Sequence, residues 1–268
     1  MPIRSVRDIE IHYELHGDRG PVVLLIHGLG SSLRDWELQV ETLAQRYRVL
    51  TVDLRGHGQT TRRGPITIAN FAADLRALLA ALDIASAHIA GISLGACVAF
   101  QIAVDYPDIV DGLVIINSGP EGPSTDNPAH VEELAWRIQS VREQGMRGIG
   151  RMLAQRLLPA PEHEAERAVF VERWAENDPD MYLASMVAIT NWTTRDRLGS
   201  LTCPCLVISG DRDYTPVAYK ETYLRELPRA ELVVISDSGH MTTHDQPQAL
   251  NTALLRSFDQ WNVTAAAS

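Results

Sequence analysis

The sequence predicts an α/β fold: a mostly parallel, doubly wound sheet carrying a helical insertion. Three observations predict it. Short continuous apolar runs recur along the chain, at 22–26 (VVLLI), 49–52 (VLTV), 88–90 (HIA), 113–116 (LVII), 206–209 (LVIS) and 232–235 (LVVI). Runs of that length without polar alternation suit strands buried on both faces of a parallel sheet. Amphipathic stretches lie between them, and strands alternating with helices imply βαβ units. The alternation then breaks between about 120 and 198, where helical spacing persists without a strand signal.

Taken in order, Ile9, Ile11, Tyr13 and Leu15 alternate with polar residues, which predicts a half-exposed antiparallel strand. Residues 36–45 and 68–82 read as helices, and Phe71, Leu75, Leu78, Leu79 and Leu82 fall on one side of the second. Thr215-Pro216 reads as an N-cap followed by proline at the first helical position. In the insertion, helical spacing links Val131, Leu134, Ile138 and Val141, then Ile149, Met152, Leu153 and Leu157, and later Tyr182, Met186 and Ile189. The turn-rich stretch SGPEGPSTDNP opens it and LGSLTCP closes it. The expected division is an α/β core of residues 1–120 and 199–268 with a helical cap of residues 121–198.

The chain has 268 residues, long enough for one sizeable core with an insertion. A hydrophobic content of 45% and a charged content of 22% are those of a globular protein rather than a disordered one. A formal net charge of -10 repels phosphate backbones and argues against a nucleic-acid partner. The three cysteines, Cys97, Cys203 and Cys205, supply no disulfide framework and suit a reducing compartment. Cys203 and Cys205 open the 206–209 run and read as strand-end residues. No apolar leader stands at MPIRSVRDIE, and the 22–26 run is too short to span a bilayer. A cytoplasmic protein without a membrane partner is therefore expected; oligomeric state is left open.

The sharpest local signal is Gly91-Ile92-Ser93-Leu94-Gly95, placed after a short strand and before the helical stretch ACVAFQIAV. A tight strand-to-helix turn presents a serine hydroxyl in a strained, exposed position, and glycines are needed where flanking side chains would meet neighbouring backbone. The amides at the start of the following helix face developing negative charge. A glycine-rich turn of no special chemistry is the plain alternative, but other sites argue against it. His27-Gly28-Leu29-Gly30 follows the first apolar run directly, where an oxyanion hole is built from a backbone N–H paired with the N–H after the nucleophile. The expected donors are the amides of Leu29 and Leu94, with His27 bracing the loop.

An acid and a base must follow in the order Ser, Asp, His. Gly210-Asp211-Arg212-Asp213 ends one late strand and Ser238-Gly239-His240 ends the next. Both are strand C-terminal ends, where open α/β sheets place their sites. His240 is the expected base, with His244 a surface or supporting residue. Asp213 is the expected acid in competition with Asp211, Asp237 and Glu121; Asp211 is expected to tie up its own turn.

With these residues in hand, the chain resembles the α/β-hydrolase superfamily over nearly its whole length. The matching stretches are LLIHGLGSS, VDLRGHGQT, GISLGACVAFQIAVDYPDIVDGLVIINS, GDRDYTPV and SDSGHMTTHDQP. Within it the chain is most similar to 3-oxoadipate enol-lactonases and small bacterial carboxylesterases, through VREQGMRGIGRMLAQRLLP and NDPDMYLASM. Enol-lactonase elbows usually carry two glycines where this chain has Gly95-Ala96. The resemblance implies the triad Ser93, Asp213 and His240, with helical cap residues over the pocket. It makes Asp53 and Arg55, in DLRGHG, a structural brace.

The expected chemistry is acyl transfer from a small-molecule ester or lactone to water, with no metal or organic cofactor. Losing one oxyanion donor costs such an enzyme about 3–4 kcal/mol. The same triad also serves amide or C–C cleavage and perhydrolysis, and triad-bearing sensors that signal to a partner protein share the fold. Bulky cap residues, Trp136, Met152, Met186 and Trp192 among them, are the expected pocket lining.

Overall fold

The computed structural model describes residues 2–267. Its strands are β1 (Ile3–Val6), β2 (Ile9–His16), β3 (Val22–Ile26), β4 (Arg48–Val52), β5 (Ala87–Ile92), β6 (Val110–Ile116), β7 (Cys205–Gly210) and β8 (Ala230–Ile235). The helices are α1 (Glu37–Leu43), α2 (Ile68–Ala81), α3 (Leu94–Asp105), α4 (Pro128–Leu157), α5 (Glu164–Ala175), α6 (Pro179–Ile189), α7 (Val217–Leu224), α8 (Thr242–Asp245) and α9 (Pro247–Ala267). The strands form one eight-stranded sheet in the order β1-β2-β4-β3-β5-β6-β7-β8. β2 runs antiparallel to β1 and β4, and the remaining pairs are parallel.

The period-2 geometry of a strand explains why the central runs are apolar throughout. Val22, Leu24 and Ile26 of β3 enter a core shared with Phe71 and Leu75 of α2 and Phe100 of α3. Val23 and Leu25 enter a second core on the opposite face, with Trp36, Leu43 of α1, and Leu250, Leu254 and Phe258 of α9. The run at 232–235 departs from that expectation. β8 is an edge strand, paired only with β7, and Val234 is 44% exposed.

Several boundaries also differ. The helix expected over 36–45 is a 3₁₀ turn at Leu33–Trp36 followed by α1, because the Ser32 hydroxyl caps the turn by accepting from the Arg34 amide. Thr215 is not the N-cap of α7. Pro216 occupies that position, and the Thr215 hydroxyl instead donates to Asp213. The apolar pattern of the sequence predicts neither β1 nor α5.

Between β6 and β7 the chain carries α4, α5 and α6. Its neck closes through an isolated antiparallel bridge, Glu121 to Thr193. The Gly122 amide donates to Trp192 O at 2.8 Å and the Thr194 amide to Pro120 O at 2.8 Å. α4 breaks direction at Gly145, whose φ of +67° is not helical and suits glycine. The bend lets its second half fold against α5, and Ile149, Leu153, Phe170, Trp174 and Tyr182 form a third apolar cluster. Among the described residues, no helix is long and apolar enough to cross a membrane.

Candidate active site

Chain order reverses across the centre of the sheet: β4 lies on one side of β3 and β5 on the other. Open α/β sheets bind ligands at such a switch point, outside the strand C-termini. The β3 and β5 loops therefore meet there, and the later β7 and β8 loops approach from the side of β6.

Ser93 follows β5 directly with φ +55° and ψ −117°, a conformation a non-glycine residue adopts only when its surroundings enforce it. The enforcement is visible in the flanking glycines. A Cβ on Gly91 would sit 2.1 Å from Gly95 O, and one on Gly95 would sit 2.2 Å from Ile26 O. Neither position has room for a side chain. α3 begins at the next residue, so Ser93 stands at a helix N-terminus, where partial positive charge gathers.

The β7 and β8 loops bring Asp213 and His240 together. His240 Nδ1 lies 2.7 Å from Asp213 Oδ1, with both side chains almost wholly buried. Asp213 is held further by Lys220 Nζ, 2.7 Å from Oδ2, and by the Thr215 hydroxyl. Burial alone would raise the Asp213 pKa; the His240 bond and the Lys220 charge outweigh it and hold the carboxyl below its ordinary range. With Nδ1–H given to the carboxylate, Nε2 is an acceptor. In this structure it accepts from the Tyr214 hydroxyl at 3.0 Å, and the Tyr214 ring stacks on the imidazole with centroids 4.3 Å apart. Nε2 is thus paired with Tyr214 rather than with the Ser93 hydroxyl.

The two loops are themselves clamped. Asn117, following β6, donates to the carbonyls of Gly239 and His240 at 3.1 and 2.8 Å, and accepts from the Gly210 amide at 2.8 Å. Asp211 does not close its own turn as expected. Its Oδ1 accepts from the Ser238 amide at 3.0 Å, tying the acid loop to the histidine loop. Of the competing acids, Asp237 pairs with Arg212, and Glu121 pairs with Arg195 at 2.7 Å in the neck of the insertion. His244 lies away from Ser93's cavity, with Nδ1 3.0 Å from the Thr243 hydroxyl.

Opposite Ser93, His27 braces the β3 loop. Its Nε2 accepts from the Leu54 amide at 3.0 Å and its Nδ1 lies 2.7 Å from Gly28 O. Both ring nitrogens are therefore occupied by backbone. Leu29 and Leu94 line the same cavity as Ser93, and among the described residues neither amide has a protein acceptor. Asp53 and Arg55 serve as braces. Asp53 accepts from the Leu33 amide at 2.8 Å, and Arg55 bonds Asp74 and Asp8 at 2.6–3.0 Å.

A cavity of about 370 Å³ joins Ser93, His240, Leu29 and Leu94 to the insertion. α4 contributes Leu153 and Leu157, α5 Phe170 and Trp174, and α6 Met186. Of the four expected pocket residues, only Met186 lines it. Trp136 is 42% exposed on the outside of α4. Met152 packs against the insertion's own apolar cluster. Trp192 leans on the core and donates Nε1 to Gln101 Oε1 at 2.7 Å. Bulk alone does not say which way a helix faces. Cys97 also reaches the cavity wall, but burial pushes its thiol up to about 12, so it is no nucleophile at neutral pH.

Sequence reasoning missed Asn117, Tyr214 and Lys220. Asn117 could have been found as the polar residue ending an apolar run between the serine and acid strands. Tyr214 follows the acid directly. Lys220 could have been flagged as the chain's single lysine, the other 23 of its 24 basic residues being arginine, although a lysine on a short helix is usually solvated.

Residues 21–247 match the family model for the α/β-hydrolase fold. The chain is 28% identical to the 3-oxoadipate enol-lactonase 2 of Acinetobacter baylyi, covering 96% of each chain. It is 31% identical to a putative carbamate hydrolase, RutD, of Caulobacter vibrioides, over 91% of this chain and 94% of that one. Among solved structures it superposes on the enol-lactonase from Burkholderia xenovorans with a TM-score of 0.88 and 26% identity, covering 95% of this chain and 98% of that one. A serine in a strained elbow, a buried Asp–His pair and a match spanning the sheet from β3 to the start of α9 together make this chain a hydrolase belonging to the α/β-hydrolase family.

Proposed function

We propose that the protein hydrolyses carboxylic esters or lactones of small to medium acyl groups through an acyl-enzyme on Ser93. The observation that carries this reading is the 2.7 Å contact between His240 Nδ1 and Asp213 Oδ1, which fixes the tautomer in which Nε2 is the acceptor, on a histidine that lines the cavity holding Ser93. The Ser93 Oγ attacks the carbonyl carbon as His240 Nε2 takes its proton, with Tyr214 yielding or sharing that nitrogen as substrate enters. Catalytic hydrogen bonds often form only in the substrate complex. Asp213 stabilises the imidazolium, and the Leu29 and Leu94 amides receive the oxyanion. The imidazolium then gives its proton to the leaving oxygen. Water, deprotonated by the same nitrogen, releases the acid and restores Ser93.

The relatives named as enol-lactonases support an ester-type bond, and the size of the cavity supports a compact substrate. A panel of p-nitrophenyl esters of rising chain length, with several lactones and one carbamate, tests the reading. Sustained turnover of small esters or lactones is expected, falling away for long chains. Turnover of none of them would remove the proposed bond class.

In this reading residues 121–198 form a lid that sets acyl size, since Leu153, Leu157, Phe170, Trp174 and Met186 all come from it. Met186→Ala or Phe170→Ala should move the chain-length optimum upward by a few carbons. Turnover of the longer ester should rise about 10-fold, the usual worth of added room for a methylene or more. Acetate-ester turnover should change little. An unaltered profile in both variants would place selectivity in the core loops instead.

A further inference from the structure

Lys220 is a cation with no access to solvent. Its side chain is 0% exposed, as is that of Asp213. Its ammonium is fully engaged: Asp213 Oδ2 at 2.7 Å, the Thr215 hydroxyl at 2.6 Å, and the Thr215 carbonyl. Burying a lysine is costly unless it is paired. Burial draws its pKa down and Asp213 opposes that pull. The expense sits at the one carboxylate that meets His240. Asp213 therefore divides its charge between two hydrogen-bond donors, the Lys220 ammonium on Oδ2 and the His240 imidazole on Oδ1.

We propose that Lys220 is a positioning residue of the proposed triad: by holding Asp213 Oδ2 it withdraws part of the carboxylate's charge from His240, so that the imidazole is released as a base at lower pH. This rests on the triad reading above. The physical argument is electrostatic. A carboxylate facing an imidazole favours the imidazolium, and a cation on the far oxygen weakens that preference at low local dielectric.

Other charges around the pair do not replace Lys220. Tyr214 lies against the imidazole. Behind it, Arg156 covers the Tyr214 ring, and Arg156 and Arg137 both bond Glu133 on α4. Tyr223 stands beyond Asp213, its hydroxyl given to Ser118 O. Asp245 accepts from the Gly239 amide beside His240. None of these is a cation touching Asp213.

The test is the pH profile of kcat/KM for a p-nitrophenyl ester in wild type, Lys220→Met and Lys220→Arg, with Ser93 labelling by a serine-directed phosphonate measured on each. Methionine keeps the volume and removes the charge. The acid limb should move upward by about one pH unit, an effect of a single neighbouring charge. At pH 6 the variant would then be about 10-fold slower, while at pH 9 it approaches wild type. Arginine restores the charge and should return the limb toward the wild-type position. Lys220→Gln gives the same reading if methionine does not pack. A space-filling lysine would lower activity evenly across pH, so a limb that stays put in the neutral variants overturns the inference. Wild-type Ser93 labelled normally with an unmoved limb sinks this proposal alone; an unlabelled wild-type Ser93 sinks the triad and this proposal with it.

Discussion

Asp213→Asn should lower kcat by about 10⁴-fold, the cost of the same change in another triad hydrolase, while Glu121→Gln should cost no more than a few-fold. The contrast follows from what each carboxylate touches. Lys220 donates to Asp213 Oδ2, so an asparagine there must present its carbonyl oxygen to the ammonium. Its NH₂ group is then forced toward His240 Nδ1. That nitrogen must become an acceptor, which places the ring proton on Nε2, where a base cannot carry it. The shape of the site survives and the tautomer does not. Glu121 also lines the cavity, but it pairs with Arg195 in the insertion's neck rather than with His240, and a solvent-reached pair contributes about 0–1 kcal/mol. Steady-state kinetics on the two variants decides between them. Greater damage from Glu121→Gln would put the acid one strand earlier.

Ser93→Ala should abolish turnover almost completely, by about 10⁶-fold in kcat if the triad acts as a unit. Residual hydrolysis would come from the oxyanion amides and substrate binding alone. The substitution deletes one small hydroxyl that, among the described residues, forms no hydrogen bond, and alanine meets the same backbone demand as serine. Thermal unfolding should therefore shift little. An alanine variant that unfolds early would instead mean that the elbow depends on the hydroxyl for its structure.

Much of this architecture was legible because physics writes it locally. A central parallel strand must be apolar on both faces, so β3 to β7 announce themselves as uninterrupted runs. The Ser93 elbow is legible because two glycines are demanded by contacts of 2.1 and 2.2 Å with backbone, which no side chain can relieve. The order of serine, acid and base follows from strands ending on one edge of the sheet. What escaped reading is non-local. β1 is a four-residue edge strand with three exposed residues, too short for a period to register. α5 (EAERAVFVERWA) alternates charge with bulk, and its buried face, Phe170, Val171 and Trp174, is defined only by α4 folding back at Gly145. Pocket membership of Trp136, Met152 and Trp192 failed for the same cause: the facing of α4 is set by its bend, and that of Trp192 by the neck in which it lies, both long-range. Asn117, Tyr214 and Lys220 acquire roles only when β6, β7 and α7 converge on the Asp213–His240 pair.

Nucleophilic attack by Ser93 can be measured directly. Intact-protein and peptide mass spectrometry after reaction with a serine-directed fluorophosphonate should show one adduct per chain, on the peptide containing Gly91–Gly95, with loss of ester hydrolysis in step with labelling. Prior incubation with a turned-over ester should slow the labelling, and Ser93→Ala should take up none. Continued hydrolysis by fully labelled protein, or an adduct on another residue with Ser93 unmodified, would contradict it.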